Sequence, residues 1–354
     1  MQTKEFNPNG IIPDNGNYFG MPLTPDEAAL VLISAPWDVT VSQRAGSGSS
    51  YAPDAIIEAS RCVGFYDPSA PNSWRKGIAT APIDYTIQDR SHRLRSDAEK
   101  VVKLRDELDI PTLENIMHDR RVRRVNEGLA EFNAKIYTQT QSWLEKGKIV
   151  GLVGGDHSVA YGALRAMGEK YGRLGVLAID SSCDLMASPH GFDFSNMSVM
   201  HDVLRDVSSV ESLVYVGVRE FAPEEWRRAE TDRRITMFPA QHIYNSIFEG
   251  RSWGSIVDDI VAALPDNVYI SLDINALTAE CAPHTGVRVP GGLRFPDVVY
   301  LMERIVASGR RIVGFDLSEV VPDVSDKTDA SIAARLLFKM CGIALKNHHA
   351  VEVI

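Results

Sequence analysis

Six short runs rich in aliphatic and β-branched residues recur along the chain: Leu30–Ser34, Ile149–Val153, Gly175–Ile179, Leu213–Val216, Asn267–Leu272 and Arg311–Phe315. Helical stretches separate most of them. Strands that alternate with helices return to the sheet by crossover, which predicts a mainly parallel β-sheet covered by helices on both faces. The expected fold class is therefore α/β, a three-layer αβα arrangement. Sheets of this kind place their ligands just beyond the carboxyl ends of the strands. The polar residues that follow each run are accordingly where chemistry is expected.

With 354 residues, 44% of them hydrophobic, the chain can fill one large core, although length alone would equally allow two or three domains. No internal repeat, low-complexity tract or linker composition divides it, so a single domain over residues 31–354 is the simplest account. The first thirty residues are rich in Asn, Gly and Pro and lack periodicity, which reads as an extended arm, laid either on a neighbouring subunit or over its own domain. Between Asp89 and Lys148 runs a charged stretch interrupted by Pro111. Its apolar positions Leu129, Phe132, Ile136 and Trp143 predict amphipathic helix. Arg120, Arg121, Arg123 and Arg124 cluster there, on a helix face exposed to solvent or to a subunit contact.

A formal net charge of -10 disfavours nucleic acid and anionic membrane as partners, since both select an excess of Lys and Arg. No apolar run approaches the roughly 20 residues of a membrane span, and the first residues lack the basic and apolar segments of a signal peptide. Cys62, Cys183, Cys281 and Cys341 form no CxxC pair, which argues against a zinc cluster or a disulfide framework. A cytoplasmic location is expected.

Four strand ends carry candidate chemistry. Ile149–Val153 runs into Gly154-Gly155-Asp156-His157-Ser158, where the glycines permit a tight turn that carries the imidazole past the strand. Gly175–Ile179 ends in Asp180-Ser181-Ser182-Cys183-Asp184; if the segment stays extended, Asp180, Ser182 and Asp184 face one side. Two carboxylates so close call for a cation between them. Asn267–Leu272 delivers Asp273-Ile274-Asn275, and Arg311–Phe315 leads to Asp316-Leu317-Ser318-Glu319. One His and several acids converging from four strand ends point to a metal site.

With these motifs in order, the chain resembles the arginase/agmatinase (ureohydrolase) superfamily from about residue 30 to 350. The family's Gly-Gly-Asp-His-Ser is present at residues 154–158. Its Asp-Ala-His-x-Asp stands altered at 180–184, and its Ser-x-Asp-x-Asp stands altered at Ser271-Leu272-Asp273-Ile274-Asn275. The later Thr-Gly-Thr-Pro-x-Pro-Gly-Gly is recognisable at residues 285–292, and the guanidinium-binding Glu at Glu319. The segment Asn15-Gly16-Asn17-Tyr18-Phe19-Gly20 is similar to the bacterial agmatinase-like branch that includes guanidine and biguanide (metformin-type) hydrolases.

The resemblance implies an arginase-type fold and a site in which two divalent ions activate a shared water. The ligands it implies for the first ion are all present: His157, Asp180, Asp184 and Asp273. The second ion would add the positions held here by Ser182 and Asn275, a hydroxyl and an amide in place of an imidazole and a carboxylate. Both are weak neutral ligands. A catalytic His of the following loop is replaced by Asn196, which cannot shuttle a proton. His190, His201 and His284 lie nearby in sequence and are expected to be loop or surface residues.

The expectation is a non-catalytic subunit of a heteromeric guanidine or biguanide hydrolase. It would bind no ion or one divalent ion (Mn or Ni), and its homologous catalytic partner would hold two divalent ions, nickel by the same resemblance. Glu319 would be a vestigial guanidinium contact. Two alternatives stand beside it: a one-metal hydrolase releasing urea or an amine from a guanidino compound, and a metal-free binding module for a cationic ligand. The trimers and hexamers of the family imply a homo- or hetero-oligomer.

Overall fold

The computed structural model describes residues 6–41, 48–107, 119–346, 348–350 and 352–353. Its centre is an eight-stranded sheet: β1 (Leu30–Ala35), β2 (Ile78–Thr80), β3 (Ile149–Gly154), β4 (Leu174–Ile179), β5 (Val210–Val216), β6 (Ile235–Phe238), β7 (Asn267–Asp273) and β8 (Arg311–Ser318). The strands are all parallel and lie in the order β2-β1-β3-β8-β7-β4-β5-β6. All six runs read from the sequence are strands, each a residue or more longer than expected. The two edge strands β2 and β6 were not anticipated. β2 has three residues and β6 is mostly half-buried, so neither produces a long aliphatic run.

Every residue of β1, β3 and β4 is buried. Successive side chains point to opposite faces, so each strand feeds two cores. Leu30 and Leu32 of β1 join one apolar cluster, which packs against helices Ala52–Ser60, Trp253–Ala262, Phe295–Ala307 and Thr328–Lys346. Val31 and Ile33 join the other, built on Arg120–Glu145, Ala160–Tyr171 and Val199–Asp206. Each such buried aliphatic side chain contributes about 1.5–3 kcal/mol, which makes the sheet a rigid frame for whatever follows its ends.

The charged stretch resolves into helices Tyr85–Glu107 and Arg120–Glu145; Pro111 lies outside the described residues. Within the Arg cluster, Arg121 pairs with Asp119 and Arg124 with Asp97. Phe132 of the second helix stacks on Trp37, ring centroids 4.4 Å apart and planes within 7°.

Residues 6–29 lie over the chain's own core. Tyr18 and Phe19 are fully buried. The Tyr18 hydroxyl meets Ser34 Oγ at 2.8 Å, and the Phe19 amide donates to Ser60 Oγ at 2.7 Å. Among the described residues no helix is long and apolar enough to cross a membrane.

Candidate metal centre

Parallel register brings the four motifs to one edge. Val153 of β3 is level with Leu317 of β8, Leu317 with Leu272 of β7, and Leu272 with Ile179 of β4. The next residues, Gly154, Ser318 and Asp273 at the ends of their strands and Asp180 just past β4, therefore lie side by side at the carboxyl edge. Gly155 makes the approach possible: a Cβ there would sit 1.8 Å from the Trp37 carbonyl oxygen. Its own carbonyl accepts the Glu319 amide at 2.8 Å.

The expectation that Asp180, Ser182 and Asp184 share a face through an extended backbone needs correction. β4 ends at Ile179, and Asp184 takes φ 52°, in the left-handed region. A bend, rather than period-two alternation, returns Asp184 to the cluster. Glu319 has φ 60° as well. Such conformations cost about 1–3 kcal/mol in a residue with a side chain and persist where surrounding contacts over-determine them.

His157 is at the middle of the arrangement and 1% exposed. Its Nδ1 is 2.7 Å from Asp184 Oδ2 and 3.1 Å from Asp180 Oδ2. Its Nε2 is 2.8 Å from Ser271 Oγ, with Asp316 Oδ1 behind at 4.0 Å. Its backbone amide donates to Glu319 Oε1 at 3.0 Å. Burial opposes charge on the ring, but the hydrogen bonds with Asp180 and then Asp184 lift its pKa well above the usual value.

The acids around it are held partly in their neutral forms. Burial, then the neighbouring Asp180, raises Asp184 to about 7. Burial, then Asp180 and Glu319, raises Asp273 well above the carboxylate range. Burial, then Asp156, raises Glu319 to about 8. So many crowded carboxylates need a cation. His157, Asp180 and Asp273 each offer a donor atom within 4.8 Å of the others. These three fit one divalent ion, and Asp184 Oδ2 lies beside the same imidazole, outside that group. The far side of the ring suits it too, because a ligating His normally has its other nitrogen fixed by an oxygen group, the place Ser271 and Asp316 occupy.

The positions of a second ion are arranged otherwise. Asn275 Nδ2 donates to Asp273 Oδ2 at 2.8 Å, and its Oδ1 accepts the Ser181 amide at 3.0 Å. The amide thus gives Asp273 a neutral donor where a cation would stand and spends its own oxygen on the backbone. The Ser182 amide donates to Asp180 Oδ1 at 2.9 Å, and its hydroxyl is too short to replace an imidazole. The donor set does not fit a second ion.

Above these groups opens a cavity of about 380 Å³. His157, Ser182, Asp184, Asn196, Asp273, Asn275 and Glu319, all singled out in the sequence, line it; Asp180 lies beneath. The Asn196 amide donates to Thr40 Oγ1 at 3.1 Å. His190, His201 and His284 do not reach the cavity. His201 is engaged by Arg228, and His284 Nδ1 lies 2.7 Å from Asp329 Oδ2. Sequence reading missed Glu220, Phe221 and Glu225, which also line the cavity. They follow β5, whose carboxyl end obeys the same positional rule as the other four strands. Asp316, quoted in the fourth motif without a role, is fully buried and raised to about 6 by burial, and it accepts no hydrogen bond of ordinary geometry from the described residues.

An all-parallel sheet with acids and one imidazole converging at its carboxyl edge is an α/β architecture with a candidate metal site where such sheets place their ligands. Comparison with known proteins narrows it: the arginase family model matches residues 28–342, and the chain belongs to the arginase family. It is 31% identical over 217 residues to N(1)-aminopropylagmatine ureohydrolase of Thermus thermophilus, a match covering 61% of this chain and 70% of that one. It is 26% identical to an agmatinase of Bacillus anthracis over 86% of this chain and 88% of that one. Among solved structures, proclavaminate amidino hydrolase from Streptomyces clavuligerus superposes with a TM-score of 0.70 at 20% identity, covering 96% of this chain and all of that one. Agmatine ureohydrolase of Thermoplasma volcanium gives 0.67 at 21% identity, over 95% and 96% of the two chains.

Proposed function

We propose that this chain is a ureohydrolase-family subunit with a degenerate site, acting as the non-catalytic partner of a homologous catalytic subunit in a guanidine or biguanide (metformin-type) hydrolase. The observation that carries the reading is the Asn275 amide, bonded to Asp273 and Ser181 in the position where the family's second ion needs a carboxylate. His157, Asp180, Asp184 and Asp273 would hold one ion, Mn or Ni. A divalent ion bound there lowers the pKa of a coordinated water and polarises a substrate. The residues of this chain supply little beyond that. Asn196 neither accepts nor releases a proton at neutral pH, and one Glu319 carboxylate oxygen is already taken by the His157 backbone amide.

Relatives named as agmatinase and aminopropylagmatine ureohydrolase support guanidino compounds as the substrate class of the complex. Nickel in the partner and a mixed trimer or hexamer belong to the same proposal. The test is to purify the chain alone, load it with Mn²⁺ or Ni²⁺, and assay urea and amine release from agmatine and from a biguanide, with and without a co-expressed homologue that has the His and Asp missing here. Activity that appears only with the homologue supports the proposal; robust turnover by the chain alone sinks it.

One observation favours a second reading, a one-metal hydrolase: His157, Asp180 and Asp273 are gathered within a single coordination sphere under an acidic cavity. The same assay separates the two.

A further inference from the structure

The opposite edge of the sheet carries a second concavity, of about 250 Å³, at the amino ends of β3 and β8. Its lining includes Lys148, Lys170, Arg310, Arg311, His348 and His349 and no acidic residue. In a chain with ten more acids than bases this is a concentrated reversal of sign. Beneath the cations lies an apolar floor that includes Ile149, Ile312 and Ala344.

None of these six groups is paired with a carboxylate among the described residues. Elsewhere the chain pairs such cations, as in Arg234–Asp232 and Arg304–Asp258. Here the partners are neutral. Lys148 Nζ donates to the Asp26 and Ala28 carbonyls at 2.7 and 2.6 Å, Arg310 Nε to the Leu264 carbonyl at 2.8 Å, and an Arg311 guanidinium nitrogen to Asn267 Oδ1 at 2.8 Å. These contacts fix Lys148, Arg310 and Arg311 without discharging them, so an incoming anion meets preorganised donors there. Burial, with Lys76, His349 and Lys148 nearby, lowers the pKa of His348, as an uncompensated positive field does.

Helix carboxyl ends at Glu145, Tyr171, Ala307 and Lys346 add partial negative charge to this region and account for some basic residues there. They do not account for a concave site with an apolar floor. We propose that this pocket binds a small amphipathic anion, a carboxylate or phosphate ester with a short apolar body. The guanidinium of Arg311 and the ammonium of Lys170 take the head group and the floor takes the tail. The pocket is separate from the metal centre and its occupancy does not rest on the function proposed above.

Calorimetry on the full chain tests it with three probes: octanoate, octyltrimethylammonium with the same tail and the opposite charge, and inorganic phosphate with no tail. Saturable one-to-one binding of octanoate is expected, with no saturable binding of the cation and phosphate weaker by about tenfold or more. The exposed pair Lys170→Glu and Arg311→Glu should weaken octanoate by at least about tenfold at an unchanged thermal midpoint. If that variant melts early, Lys170→Gln with Arg311→Gln replaces it, and a weakening of several-fold is expected. Absence of saturable octanoate binding, undiminished binding by the folded variant, equal binding of the cationic probe, or phosphate binding as tightly as octanoate overturns the proposal.

Discussion

Replacing Asn275 by Asp restores a carboxylate to the second ion's position, and its cost without metal follows from the contacts the amide makes. The 2.8 Å bond from Nδ2 to Asp273 Oδ2 is buried, and leaving one partner of such a bond unsatisfied costs about 1–3 kcal/mol. Its loss places a carboxylate against Asp273, whose pKa is already raised well above the ordinary range by burial, Asp180 and Glu319. One acid can stay protonated and recover part of the bond, so N275D should lose about 2 kcal/mol at pH 7 in the presence of a chelator. Mn²⁺ should reverse the order. A free ion at 100 times its dissociation constant stabilises the folded state by about 2.7 kcal/mol, so a regained ligand should give the variant a larger metal-induced gain than the wild type. Urea denaturation with chelator and with millimolar Mn²⁺ measures both quantities. Metal-free stability equal to wild type, or a metal-induced gain no larger, refutes the account of Asn275 as a neutral substitute for the second ion. Adding Ser182→His should enlarge the gain further if the rest of the frame is intact.

Four other outcomes follow from the same geometry. Metal analysis after loading and desalting should give about one Mn²⁺ or Ni²⁺ per chain, falling toward zero in Asp180→Asn, since borderline ions bind where carboxylate and imidazole donors are complete; two ions per chain would contradict the reading. Gly155→Ala drives a Cβ into the Trp37 carbonyl and should cost about 3 kcal/mol or more, read as a drop in denaturation midpoint. Phe132→Ala removes the ring stacked on Trp37 and should cost about 3–5 kcal/mol, with metal content unchanged. The hydrogen bond that His284 donates to the Asp329 carboxylate raises its pKa, so that pair stabilises the fold fully below the unfolded histidine value near 6.5 and less as pH rises through the folded value. His284→Gln should therefore lower the melting temperature at pH 6 and lower it less at alkaline pH; an effect independent of pH disproves the link.

The sheet was legible because its strands are buried on both faces, which forces near-continuous aliphatic runs such as Leu-Val-Leu-Ile in β1 and Val-Leu-Ala-Ile in β4. The edge strands escaped because β2 is only three residues long and β6 is partly exposed, so neither needs such a run. The same logic governs the site. His157, Asp180 and Asp273 were found because each lies at or within three residues of the carboxyl end of a central strand, where register holds the chain in place. Asp184 was found for the wrong reason, since its return depends on a left-handed turn at φ 52° that period-two reasoning does not represent.

What the sequence concealed is how the altered positions are satisfied, and this bears on what the chain is for. A site that had only decayed would leave Asp273 crowded and unpartnered at the place of the lost ion. Here the amide of Asn275 faces both ways, donating to Asp273 and accepting from the Ser181 backbone, so the loop after β7 is tied to the loop after β4 by protein groups. One substitution thus supplies, without metal, the cross-link between strand ends that a second ion would otherwise make. An ordered site edge that no longer depends on a full metal complement suits a subunit kept for its shape and contacts. It is also why N275D is the decisive variant: it removes the neutral tie and leaves the chain dependent on metal again.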